Sequence, residues 1–220
     1  MTPGASTFTF AVCDSGFGPS GPATSGLPWR DPLAWRITAV SAVNSALYYV
    51  ELAWLAPLLH NDGHRSTSNA GDLLTIMLII QTVSMLAVPA ALGERLDRRI
   101  GLAVTTLMVA GGFFGFAFSP ATGTWAWIIL VGIGHGGLFP LVLALPATMS
   151  RDGTQASRLS GMAFFVGYAC AAIAPLIVGW LRDGLGNFNL AFALLGAAAA
   201  VIVIPITRLS SQQPQATPTS

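Results

Sequence analysis

Charge is scarce in this chain, and lysine is missing altogether. Ten arginines and nine acids make up 9% of its 220 residues, against about 25% in an ordinary soluble domain. A net charge of +1 leaves no clustered basic face, so a nucleic-acid partner is excluded. The lack of lysine reads as genomic base-composition bias. No Gly-Lys-Ser/Thr phosphate loop occurs, so ATP is not expected as a direct energy source. Cysteine is nearly absent too. Cys13 lies in a leader and Cys170 in a predicted helix, so no disulfide is expected and Cys170 reads as a small packing residue. Residues 1–28 carry Asp14 but no basic residue, and show neither an apolar run nor a cleavage site. A secretory signal is therefore not expected there. Their Gly, Pro, Ser and Thr content predicts a disordered tail or linker remnant, and 210–220 a second tail.

Long apolar runs are what the chain has instead, and 53% of its residues are hydrophobic. Six runs fall at Ile37–Leu59, Ala70–Leu92, Ile100–Phe118, Trp125–Ala147, Ser160–Leu181 and Phe188–Thr207. Each is near the roughly 20 residues that carry a helix across about 30 Å of hydrocarbon. Lipid satisfies no backbone group, so the spans must be helices. The fold class follows: an all-α integral membrane bundle of six helices over residues 29–209.

Arginines predict its orientation. Arg30, Arg36, Arg95, Arg98, Arg99, Arg151, Arg158 and Arg208 fall on one side, and only Arg65 and Arg182 on the other. That asymmetry predicts cytoplasmic termini. Trp125 and Trp127 are then expected at the outer interface of the fourth span.

An ionisable residue near the bilayer centre costs roughly 2.5–3.5 kcal/mol on insertion scales and is a functional candidate by default. Glu51 is the only acid well inside a span. It lies roughly 12 Å from the outer end of the first span, and His135 roughly 15 Å from the outer end of the fourth. The two are expected at similar depth, facing a polar cavity as proton carriers or ligand partners. The plainer alternatives are a protonated Glu51 packed on a neighbour and a structural hydrogen bond from His135. Asn44, Tyr48, Glu51 and Trp54 recur every three or four residues, which predicts one polar-aromatic stripe. It could equally be an ordinary polar seam between helices. Gln81 and Tyr168 are further candidates, and Asp72 reads as a charge near a helix N-terminus. His60 and His64 are four apart in a polar loop without a third ligand nearby. Neither an enzyme nor a metal or other cofactor is expected.

Three stretches resemble the carboxyl-terminal half of a major facilitator superfamily transporter, in its cyanate permease/nitroimidazole transporter (CynX/NimT-like) branch. They are Trp35 through Pro57, the glycine-rich run Gly132–Pro140, and Leu159–Met162 with Gly167–Pro175 and Gly179–Asp183. In that branch a glutamine more often stands where this chain has His135. A fourth stretch, Gly93 to Arg99, is similar to the superfamily's cytoplasmic loop, which implies a gating role for Gly93, Asp97, Arg98 and Arg99. The resemblance implies one six-helix half of a plasma-membrane transporter for a small polar or anionic organic solute, working by alternating access. It implies a second six-helix unit or a second copy as partner; otherwise the chain is a shortened product or a partner-binding membrane module.

Overall fold

The computed structural model describes residues 26–92 and 97–207. Their helices are α1 (Pro32–Asn61), α2 (Thr67–Leu92), α3 (Arg98–Phe118), α4 (Thr124–Leu143), α5 (Leu145–Met149), α6 (Gly153–Leu185), α7 (Asn189–Val201) and α8 (Val203–Thr207). Six segments are long and apolar enough to cross a membrane, with α7 and α8 together forming the last. The chain is a multi-pass membrane protein, and its fold is an all-α bundle of six spans.

Polar caps carry several helices beyond their apolar runs. α1 begins five residues before Ile37, because the Asp31 carboxylate accepts from the Leu33 amide at 2.8 Å and Pro32 opens the first turn. α6 begins seven residues before Ser160, where Asp152 accepts from the Gln155 amide at 2.7 Å. It ends at Gly186, whose φ of 72° lies in the left-handed region. Prolines break two spans. Pro146 has no N–H for the Val142 carbonyl, and the fourth span turns at Ala144 before continuing as α5. Pro205 likewise withholds a donor from Val201, where α7 stops.

Loop contacts sort the connections into two ends. At one end the Arg65 guanidinium donates to the Ala121 carbonyl (3.2 Å) and to Thr124 Oγ1 (3.3 Å), joining the first and third connections. There too the Phe188 amide donates to Asp62 Oδ2 at 3.0 Å, joining the first and fifth. At the opposite end Arg158 Nε donates to the Gly26 carbonyl at 2.6 Å, beside the start of α1. Odd-numbered connections thus share the end with two arginines, the arrangement the arginine asymmetry predicts. Trp125 stays exposed, as expected of an interfacial residue, but Trp127 turns inward. Its indole N–H donates to the Ser119 carbonyl at 3.0 Å, and its ring occupies the space that side chains at Gly115 and Gly123 would need.

The bundle has two modes of packing. α1 lies chiefly along α6, while α4 is flanked by α2 and α3, and α7 covers the other side of α3. Between α3 and α7 the contact is aromatic: Phe192 is fully buried, 5.4 Å from the Phe113 ring centroid and 6.2 Å from that of Phe188. Around α4 it is set by small residues. A Cβ at Gly136 would strike the Gln81 carbonyl oxygen of α2, and one at Gly134 would lie 3.0 Å from the Thr105 carbonyl oxygen of α3. Close backbone approach of this kind replaces the hydrophobic effect that lipid removes.

Candidate functional site

Glycine packing has a direct consequence for the polar residues. Because Gly136 admits the α2 backbone, the side chain of Gln81 reaches the middle of the bundle beside His135. Glu51 comes up from α1 between them. The Gln81 amide donates to Glu51 Oε1 at 2.5 Å, and His135 Nδ1 lies 3.2 Å from Glu51 Oε2. Glu51 and His135 are 1% and 2% exposed, and Gln81 7%. Three helices therefore contribute one polar group each to a water-excluded cluster, which the sequence expectation of similar depth anticipates for Glu51 and His135. Two buried atoms beside it have no hydrogen-bond partner in the fold: His135 Nε2 and Asn44 Oδ1.

Next to this cluster lies a cavity of about 310 Å³. Of the residues singled out in the sequence, Asn44, Tyr48, Gln81, His135 and Tyr168 line it. The Tyr48 ring stands edge-on to His135 with centroids 5.5 Å apart. Lining positions run over 41–49 on α1, 81–85 on α2, 135–143 on α4 and 160–168 on α6, with Pro146 of α5. All of these lie between mid-bundle and the end that carries Gly26 and Arg158. The cavity thus occupies one half of the bundle's depth, with the Glu51 cluster at its inner limit.

Two expectations need correction. Glu51 does not face the cavity; His135 and Gln81 stand between them. Trp54 does not continue the stripe. Ten residues beyond Asn44 its direction is turned by about 80° at helical periodicity. Its indole N–H instead donates to the Pro175 carbonyl of α6 at 2.8 Å, over Gly179 and against Phe188. Sequence reasoning also missed Ser41, Ser45 and Tyr49, which line the cavity from α1, and Phe164, which lines it from α6. Ser41 lies three residues before Asn44, and Ser45 four after Ser41 and three before Tyr48, and that spacing was the available signal.

Of the gating-loop residues, Gly93 lies outside the described residues. Asp97 caps α3 by accepting from the Arg99 amide at 3.1 Å, and its carboxylate is 4.0 Å from Arg99 Nε. Asp97 and Arg98 are exposed. Their described geometry is that of a local helix cap.

A model of the family described as Major Facilitator Superfamily matches residues 24–219. The chain belongs to the Major Facilitator Superfamily. Among curated relatives it is 35% identical over 178 residues to the 2-nitroimidazole transporter of Escherichia coli (strain K12), a match covering 81% of this chain and 44% of that protein. It is 31% identical over 176 residues to the uncharacterized transporter YycB of Bacillus subtilis (strain 168), covering 79% and 43%. Against the cyanate transport protein CynX of Escherichia coli (strain K12) it is 28% identical over 179 residues, covering 81% and 46%. The matched region is thus less than half the length of each relative. The resemblance to the CynX/NimT branch stands.

As a major facilitator six-helix unit, the chain has a chemically distinctive cavity. Aromatic rings line much of it, hydroxyls and the amides of Asn44 and Gln81 supply polar contacts, and the His135 imidazole is held by the Glu51 carboxylate.

Proposed function

We propose that this chain forms half of a secondary transporter that moves a small polar or anionic organic solute across the plasma membrane by alternating access. Asn44, Tyr48, Gln81, His135 and Tyr168 contact the solute, and Glu51 holds His135 and Gln81 in place. A second six-helix unit, on another chain or a second copy of this one, completes the path. Both termini are cytoplasmic, so the cavity opens toward the inside in this conformation. Gly93, Asp97, Arg98 and Arg99 belong to a cytoplasmic gating loop in which Asp97 holds the start of α3. Names of relatives suggest where to begin, with nitroimidazoles and cyanate-like anions.

One observation carries this reading: a buried carboxylate, imidazole and amide from three helices meet beside a cavity that leaves His135 Nε2 and Asn44 Oδ1 unpaired. Burying such groups in a membrane is costly, and a ligand that pairs with them recovers part of the cost. The test is uptake of labelled 2-nitroimidazole and cyanate into vesicles holding the full-length assembly, with and without a pH gradient. Gradient-dependent flux that falls in Glu51→Gln and His135→Ala supports the reading. Flux unchanged in both variants removes these residues from the site. If crosslinking finds only monomers and no flux occurs, the chain is a membrane module without transport activity.

A further inference from the structure

Tyrosine is rare in this chain, and its placement departs from the usual one in a membrane bundle. Of three tyrosines against twelve phenylalanines, Tyr48, Tyr49 and Tyr168 all line the cavity. Membrane tyrosines ordinarily gather at the interfaces, where the hydroxyl meets water. Here Tyr48 and Tyr49 fall near the midpoint of α1, and Tyr168 near that of α6. None of the three hydroxyls has a hydrogen-bond partner among the described residues. Lipid contact does not explain that choice, since phenylalanine would cover the same surface without a polar group to desolvate.

The rings come in ordered sets. On α1, Tyr48 stands edge-on to Tyr49 with centroids 5.6 Å apart, and on α6 Phe164 stacks with Tyr168 at 6.2 Å. Phe139 lines the cavity from α4. α1 packs against both α4 and α6, which scarcely touch each other, so rings on three helices border one gap. Tyr49, Phe139, Phe164 and Tyr168 all keep exposed surface. No Asp, Glu or Arg lines the gap, and the His135 ring is tied to Glu51.

We propose that these rings select a planar aromatic solute, with Phe164 and Tyr168 as the specificity-determining pair. The proposal rests on the cavity reading above and narrows its solute class. A flat ring lies against an aromatic pair already held in place, so it gains stacking without having to order the wall. A saturated ring of similar size cannot lie flat, and a small linear anion has no face to offer. With no fixed countercharge along the wall, such an anion has little else to draw on. The tyrosine hydroxyls supply donors for a polar substituent on the solute's edge.

Calorimetry on the full-length assembly in lipid nanodiscs tests this. Benzoate and cyclohexanecarboxylate carry the same charge on rings of equal size, one flat and one puckered, and cyanate and 2-nitroimidazole complete the set. Benzoate should bind about tenfold tighter than cyclohexanecarboxylate, and cyanate weakest of all. Phe164→Leu and Tyr168→Leu, at exposed positions, keep apolar bulk and should each cut that ratio to about threefold. The double variant should abolish the preference. Tyr168→Phe keeps the ring and should hold the ratio while weakening both acids alike. A purely structural role for the pair would lower both acids together in every variant and leave the ratio unmoved. Equal binding of the two acids by the wild type, or a ratio that survives the double variant, overturns the proposal and leaves the cavity as a binding site. Cyanate binding as tightly as benzoate does the same. No binding of any probe by the folded wild type overturns both readings.

Discussion

The two ends of the bundle are built differently. Toward the end with two arginines, helices and loops are tied by specific polar contacts: Trp54 to Pro175, Asp62 to Phe188, and Arg65 to Ala121 and Thr124. Toward the end bearing Gly26 and Arg158, the four helices that surround the Glu51 cluster leave a cavity between them. At the cavity end α1 and α6 still pack closely, a Cβ at Gly167 lying 3.3 Å from Ser45 Oγ, and the cavity lies beside that contact. The polar contacts tie the two-arginine end together. On the other side lies a space lined by aromatic rings, hydroxyls and amides.

The sharpest way to break this comparison is to add bulk where α2 and α4 touch. Gly136→Leu drives a side chain into the Gln81 backbone and should abolish the folded bundle, read as loss of a monodisperse peak in detergent. Thiol labelling measures the difference between the ends more gently. With the native cysteines replaced, Ser45→Cys should react about a hundredfold faster than Leu55→Cys, because the second must wait for a local opening of about 3 kcal/mol. Comparable rates would mean that both ends are equally open. Asp62→Ala leaves the Phe188 amide without its acceptor and should cost about 1–2 kcal/mol in chemical denaturation, with 2-nitroimidazole affinity unmoved. Trp54→Phe removes one indole donor and should cost about 1 kcal/mol. If Trp54→Phe instead weakened 2-nitroimidazole binding as His135→Ala does, Trp54 would belong to the site after all.

Much of this architecture is written in hydrophobicity, which reports how lipid and backbone must be separated. That is why the six runs became six spans. Their ends were less legible, because Asp31 and Asp152 extend α1 and α6 through capping that a hydropathy count ignores. The meeting of Glu51 and His135 was legible from depth alone. That Gln81 completes the cluster depends on where Gly136 lets α2 approach, a relation between two helices that no single helix reveals. Trp54 failed as a lining residue for a simpler reason: spacings of three and four drift around a helix when repeated, and its ring had rotated onto α6.

The glycine contacts along α4 carry a mechanical implication. At Gly134 and Gly136 backbone sits directly on backbone, and Ile80 and Val88 fill the space over Gly132 and Gly137, so α2, α4 and α3 resist slipping past one another. The three therefore form one plate, and Glu51 of α1 is tied to it through Gln81 and His135.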